Sequence, residues 1–288
     1  MTDVRRITDV LRIRAATMAD SVAHDDTRRV LTFAQWDREA DEIGGGLAAA
    51  GLAPGDRVFL PISNAHAVEM AIAVLAVLRA GGIAVPVNTR LSPLEVSDYA
   101  ALIEPRFAIT NQPDLLAGLA LDAVWTADAM PRDIAALPDQ AALDPQADAE
   151  ILGTSGTTGR IKGVVVTHPD LLGRSRTGKE KDRSTSTLHA LPFTGSGGNL
   201  GVLMLPLYGG ATTFTQPRFD PGAFLKLVET KRPMTVYLVP TMLRLILDHP
   251  DAASTDFSSV RYLMTGTAPL PNDSVVRAMA LWPGASIR

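Results

Sequence analysis

No cysteine occurs anywhere in this sequence, which excludes disulfides, thiolate nucleophiles and zinc–thiolate sites. Long hydrophobic runs are missing as well. The longest, Met70 to Leu78, ends at Arg79, far short of the ~20 residues that span a bilayer. The start, Met1-Thr2-Asp3-Val4-Arg5-Arg6, leads into no continuous apolar segment and does not read as a secretory signal. Neither sign of charge dominates. Lys and Arg number 27 against 31 Asp and Glu, a formal net charge of −4, which draws neither nucleic acid nor an anionic membrane surface. These absences lead us to expect a cytoplasmic protein with no membrane span and no nucleic-acid partner. What is abundant is apolar. Of the 288 residues, 46% are hydrophobic, enough for the cores of two domains of ~100–200 residues each.

Short β-rich runs alternate with helical stretches, so the expected fold class is α/β. Thr32-Phe33-Ala34-Gln35 reads as a capping box. It opens a helix running to about Ala50, with Gly51 in the left-handed position after it. Glu39, Asp41 and Glu42 on this helix read as a solvated face rather than a paired acid and base. Val58 to Ile62 reads as a strand, Ala65 to Arg79 as a helix apolar nearly all round and hence buried, and Ile83 to Val87 as the next strand. Such a β-α-β unit implies parallel strands. Ser92-Pro93-Leu94-Glu95 starts another helix, and Phe107 to Thr110 is a strand. Residues 127–149, rich in Ala, Asp and Pro, read as a loose surface connection.

Val164 to Thr167 reads as a buried strand. The polar stretch Arg174 to Thr187 reads as a solvated helix face or mobile loop in preference to a phosphate- or partner-binding patch. A second α/β stretch begins near Leu188. In it Asp220-Pro221 caps a helix with Phe224, Leu227 and Val228 on one face. Strands follow at Thr235 to Val239 and Val260 to Met264, with helices at Thr241 to Leu247 and from Asn272.

The segment that carries chemistry is Gly153-Thr154-Ser155-Gly156-Thr157-Thr158-Gly159-Arg160-Ile161-Lys162-Gly163. Its glycines let backbone approach a ligand closely. Its amides and hydroxyls can form a concave anion site, and Lys162 adds a flexible point charge suited to phosphate. A P-loop would need Lys directly after a glycine and Ser or Thr after that. Here Lys162 lies three residues beyond Gly159. A dinucleotide-binding fingerprint also fails, because the next element is a strand and not a helix. The pattern is therefore a phosphate loop between two strands.

Thr154 to Gly163 closely resembles the phosphate-loop motif of the adenylate-forming superfamily, which includes acyl-CoA synthetases, aryl-CoA ligases, luciferases and peptide-synthetase adenylation domains. The resemblance extends over essentially the whole chain, through Leu31-Thr32-Phe33, Gly55-Asp56-Arg57-Val58, Val77-Leu78-Arg79-Ala80-Gly81, Val85-Pro86-Val87-Asn88 and Tyr208-Gly209-Gly210-Ala211-Thr212. It implies two α/β subdomains with mainly parallel sheets flanked by helices. Residues 51–185 would carry the phosphate loop, and 1–50 with 186–288 the adenine and acyl side.

By the same resemblance, Thr154, Ser155, Gly156, Thr157, Thr158, Gly159 and Lys162 would hold the ATP phosphates, with Lys162 stabilising the departing pyrophosphate. Thr154 would lie near Mg²⁺. Gly266, Thr267, Ala268 and Pro269 would lie against the adenine. Phe193, Thr194, Gly195, Gly198, Asn199 and Thr241 would frame the acyl pocket. In the stretch Leu191 to Gly198 the family carries an aromatic residue or His beside the acyl pocket, where this chain has Thr, Ser and Gly after Phe193, which leaves room for a larger or more polar acid. The small uncharged framing residues favour an aromatic or medium-chain acid over a charged one.

The implied activity is ATP-dependent conversion of a small-molecule carboxylate to an acyl-adenylate, then transfer to CoA or to a carrier protein's phosphopantetheine. Family members continue with a Tyr-Gly-x-Thr-Glu segment and a C-terminal domain bearing a catalytic Lys. Neither occurs within residues 1–288, so the expectation is a chain cut before its catalytic apparatus is complete. Two alternatives stay open: a non-catalytic nucleotide- or acyl-adenylate-binding module, and an adenylating enzyme for an atypical acid such as nitrite. His24, His66, His168, His189 and His249 show no metal-ligand spacing. For His168 a packing or hydrogen-bonding role is expected.

Overall fold

A computed structural model describes residues 4–155, 161–177, 186–195, 197–199, 203–266 and 268–288. Two sheets organise it. The first takes strands β1 (Val22–Asp25), β2 (Val30–Thr32), β9 (Ser186–His189), β10 (Thr212–Thr215), β11 (Thr235–Leu238), β12 (Tyr262–Thr265) and β13 (Ser286–Ile287), in the order β13-β12-β11-β9-β10-β1-β2. The second takes β3 (Arg57–Leu60), β4 (Ile83–Pro86), β5 (Phe107–Thr110), β6 (Ala123–Thr126), β7 (Asp148–Ser155) and β8 (Ile161–Thr167), in the order β6-β5-β3-β4-β7-β8. Neighbours run parallel except for β1 with β2 and β7 with β8, which pair antiparallel. The mixed α/β architecture with mainly parallel sheets is the one the alternating pattern implies.

Helices α1 (Ile7–Thr17), α2 (Phe33–Ala49) and α3 (Ala67–Arg79) lie in the largest core, which draws side chains from strands of both sheets, among them Ala23, Leu31, Val58 and Phe107. Every residue of α3 is buried for this reason. Trp36 ties α2 to α3 by donating from Nε1 to the Ala71 carbonyl at 3.0 Å. The capping box at Thr32 forms with both bonds present, and Gly51 sits at φ 95°. Helix α4 (Pro93–Ile103), started by a second capping box at Ser92, packs with Phe59, Val85 and Ala108 in a separate core. Helices α7 (Pro221–Lys231), α8 (Pro240–Leu247) and α9 (Asn272–Leu281) cover the far face of the first sheet. The remaining helices are α5 (His168–Thr177) and α6 (Leu205–Gly209). Among the described residues no helix is long and apolar enough to cross a membrane.

Several expectations need correction. Glu39 and Asp41 are buried rather than solvated. Glu39 pairs with Arg29 and with Arg132, Asp41 with Arg12 and Arg79, and Glu42 with Arg132. The carboxylates enter the interior because five-donor guanidinium groups from four other segments meet them there.

Residues 127–149 are not a loose connection throughout. The part around a short 3₁₀ turn at Ile134–Ala136 lies directly on α2. A Cβ at Gly45 would stand 1.8 Å from the Asp133 carbonyl oxygen, and one at Gly46 2.3 Å from that of Pro131. The glycines of α2 are thus a docking groove for backbone.

The strand after the phosphate loop begins at Ile161 and is not buried. It is the edge of its sheet, with Val164 48% and Val165 50% exposed. Smaller differences are a 3₁₀ turn at Asn64–His66 ahead of α3, and Leu225 buried with Phe224 and Val228 while Leu227 is only half-buried.

Candidate nucleotide and acid site

The glycine-rich segment joins β7 to β8, and these strands pair antiparallel with Thr154 opposite Lys162 and Gly153 opposite Gly163. The expected loop between two strands is therefore a hairpin. Thr154 and Lys162, one on each strand, are both exposed. The Thr154 hydroxyl makes one long bond, 3.4 Å, to the Lys162 carbonyl, so it is close to free for another partner. Gly156, Thr157, Thr158 and Gly159 lie outside the described residues, as does the side chain of Ser155. Of the polar stretch beyond, residues 178–185 also lie outside them.

At the loop end of the paired strands is a cavity of ≈ 120 Å³ lined by Pro86, Asn88, Leu91, Tyr99, Gly153, Thr154, Ile161 and Thr194. It brings together Thr154 of the candidate phosphate segment and Thr194 of the candidate acyl segment, which are far apart in sequence. Tyr99 stacks on Phe59 with ring centroids 5.5 Å apart. Burial pushes its hydroxyl pKa up to about 12, so the group remains a neutral phenol.

The candidate acyl segment follows β9. Phe193 is fully buried against His189, the rings edge to face at 5.6 Å. Asn199 is buried too, and its Nδ2 donates to Glu150 of β7 at 3.3 Å. Gly198 is pressed on the Pro192 carbonyl. Thr194 and Gly195 are half-buried, and Thr241 is exposed at the start of α8. Phe193, Gly198 and Asn199 hold the segment in place, therefore, while Thr194 and Gly195 present surface. Gly266, Ala268 and Pro269 follow the C-terminal end of β12, the sheet edge where parallel α/β folds place ligands. Thr267 lies outside the described residues.

The sequence reading missed Tyr237. Its hydroxyl lies so near two candidate segments that an added Cβ would be 3.2 Å away at Gly197 and 3.4 Å away at Gly266. A signal was available: Tyr237 sits between Val236 and Leu238 in an alternating strand, on the face opposite to theirs.

His168 takes the hydrogen-bonding role expected of it. Buried at the start of α5, it faces Arg6, whose Nη2 and Nε lie 2.9 and 3.2 Å from its Nε2. Burial, and secondly the Arg6 charge, lower its pKa to about 3.

A family model described as AMP-binding enzyme matches residues 11–288. The chain is 34% identical over 284 residues to a feruloyl-CoA synthase of an Amycolatopsis species, an alignment covering 93% of this chain and 55% of that protein. It is 31% identical to the long-chain-fatty-acid–CoA ligase FadD13 of Mycobacterium tuberculosis, covering 84% of this chain and 50% of that one. Among solved structures, the inhibitor-bound N-terminal domain of FACL13 from the same organism superimposes with a TM-score of 0.85 at 27% identity. That match covers 98% of this chain and 74% of that domain. The chain thus spans about half the length of the curated relatives it matches.

Proposed function

This chain belongs to the AMP-binding enzyme family, and we propose from that premise that it activates a carboxylic acid with ATP. A carboxylate oxygen attacks the α-phosphorus in line, the bond from that phosphorus to the bridging oxygen breaks, and pyrophosphate leaves. The acyl-adenylate then meets a thiol, of CoA or of a carrier protein's phosphopantetheine. Its sulfur attacks the acyl carbon, AMP departs, and the thiol proton passes to solvent. Such chemistry asks the protein mainly to position reactants and to offset charge.

In this reading Thr154 to Gly159 and Lys162 hold the phosphates, and Lys162 offsets the charge that gathers on pyrophosphate. Gly266 to Pro269 flank the adenine, and Thr194, Gly195 and Thr241 face the acid. Thr154 presents an exposed, nearly free hydroxyl oxygen, the hard donor that Mg²⁺ accepts beside phosphate and water. Bound with the nucleotide, Mg²⁺ would supply further neutralisation of phosphate charge. Residues 51–185 form the phosphate-loop subdomain and 1–50 with 186–288 the other. The distribution of β3–β8 and of the remaining strands between the two sheets supports this division.

The observation that carries the reading is the cavity shared by Thr154 and Thr194, which puts phosphate and acid segments side by side. The test is ATP affinity of the chain, by calorimetry, with and without Lys162→Ala. A loss of tenfold or more is expected. A change under threefold would remove Lys162 from the nucleotide site and, with it, this reading.

A further inference from the structure

A buried carboxyl stands within β7. Glu150 is fully buried, with Ala84 of β4 on one side and Val166 of β8 on the other. The residues that follow it, Ile151 and Leu152, are apolar and buried. An ionised carboxyl loses its hydration in such a place, and an apolar side chain would fill the space without that cost. Glu150 lines no part of the cavity shared by Thr154 and Thr194. What it holds is Asn199, whose Nδ2 donates to Glu150 Oε1 at 3.3 Å.

Two paths lead from Glu150 to that cavity. One runs along β7, which stays paired with β8 as far as Ser155. Thr154 lies four residues on, about 13 Å at the rise of a strand. The other crosses to the segment after β9. The Asn199 N–H donates to the Gly195 carbonyl at 2.8 Å, and its own carbonyl accepts from the Met204 N–H at 3.1 Å. Gly195 adjoins Thr194, on the far side of the cavity from β7 in sequence but beside Thr154 in space. The start of the same segment is tied separately, by Asn64 Nδ2 donating to the Leu191 carbonyl at 2.9 Å.

We propose that Glu150 is a positioning residue that sets the separation of Thr154 and Thr194 across their cavity, acting through Asn199 and Gly195. This rests on the acid-activating reading above, in which that separation decides whether carboxylate and α-phosphorus align. An in-line displacement tolerates little error in alignment. A hydrogen-bonded carboxyl fixes the register of the two segments in a way that an apolar residue at the same place does not.

The chain has no cysteine, so Thr154→Cys together with Thr194→Cys supplies its only two thiols. Their crosslinking by dibromobimane, a short bifunctional thiol reagent, reads the separation. Adding Glu150→Ala should slow crosslinking about tenfold, because one end of the held pair is released. Glu150→Gln keeps an acceptor for the Asn199 amide and should leave the rate as it was. Asn199→Ala should slow crosslinking as Glu150→Ala does, and it gives the answer if Glu150→Ala does not fold. Val228→Ala, in the core under α7–α9, loosens the fold away from this path and should not change the rate. Undiminished crosslinking in Glu150→Ala and Asn199→Ala overturns the proposal. Equal slowing in Val228→Ala does so too, as does a parent pair that fails to crosslink. ATP affinity, measured by calorimetry on the chain with its own Thr154 and Thr194, separates the two readings. If ATP binds while crosslinking ignores Glu150, the positioning role alone is wrong. If crosslinking depends on Glu150 but ATP does not bind, the link stands and the acid-activating reading falls.

Discussion

Arg6 reaches His168 with two guanidinium nitrogens, Nη2 at 2.9 Å and Nε at 3.2 Å from a single imidazole nitrogen, Nε2. A guanidinium only donates, so Nε2 must accept and the ring must be neutral. Arg6 also donates from Nη2 to the Leu78 carbonyl at 2.7 Å. One arginine thereby joins the start of α1 and the end of α3 to α5, the helix that follows β8.

A pH dependence follows. Burial, and then Arg6, hold the folded pKa of His168 near 3, and burial holds those of His24 and His189 near 3 as well, all below the ordinary 6.5. Between these limits the unfolded chain takes up protons that the folded chain refuses. Stability is therefore complete above about pH 6.5 and falls progressively as pH drops toward about 3. Urea denaturation from pH 7 to 4 should show that decline. His168→Gln, which keeps an acceptor but does not titrate, should reduce the slope by up to one proton. Parallel profiles for the two proteins would show that His168 does not contribute.

Arg79 is almost fully buried and ion-paired with Asp37 and Asp41. Asp41→Ala leaves Arg79 and Arg12 short of a partner and should destabilise by about 3–5 kcal/mol, the scale for breaking a buried pair. By contrast, Arg106 pairs with Asp122 at the exposed surface, and Asp122→Ala should change stability by under about 1 kcal/mol. Urea midpoints at neutral pH decide both. Equal effects would mean that burial does not govern this network.

Gly46→Ala offers a test of sign. In an exposed helix the change stabilises by about 1 kcal/mol. At this position the new methyl meets the Pro131 backbone, so overpacking should reverse the sign and destabilise by about 1–3 kcal/mol. A raised melting temperature would show that the 131–133 segment yields freely.

Lys162→Ala in a chain competent for adenylation should slow acid-dependent pyrophosphate release by about 10²–10³-fold, the scale of losing one transition-state donor. A loss confined to the KM for ATP would instead make Lys162 a ground-state phosphate ligand.

Much was legible in the sequence because it was written in local chemistry. The capping boxes at Thr32 and Ser92 needed only residues three apart, and both formed. The spacing of Lys162 from Gly159 excluded a P-loop, and the strands expected on either side of the glycine-rich segment are present as β7 and β8. The nearly all-round apolar pattern of Ala65 to Arg79 announced a buried helix, and every residue of α3, Ala67–Arg79, is buried.

What only the tertiary structure decided are the meetings of distant segments. Glu39 and Asp41 look like surface charges until Arg29, Arg79 and Arg132 arrive from other elements to satisfy them. Gly45 and Gly46 look like weak points of a helix until the 131–133 backbone occupies the space they leave. Val164 and Val165 look like core until β8 proves to be a sheet edge. Tyr237 looks like one more strand residue until register sets it under Gly197 and Gly266. Periodicity and caps depend on neighbours along the chain, and so the sequence by itself determined the elements, β7 and β8 on either side of the glycine-rich segment among them. Burial of charge and exposure of a strand face depend on neighbours in space, which folding alone brings together.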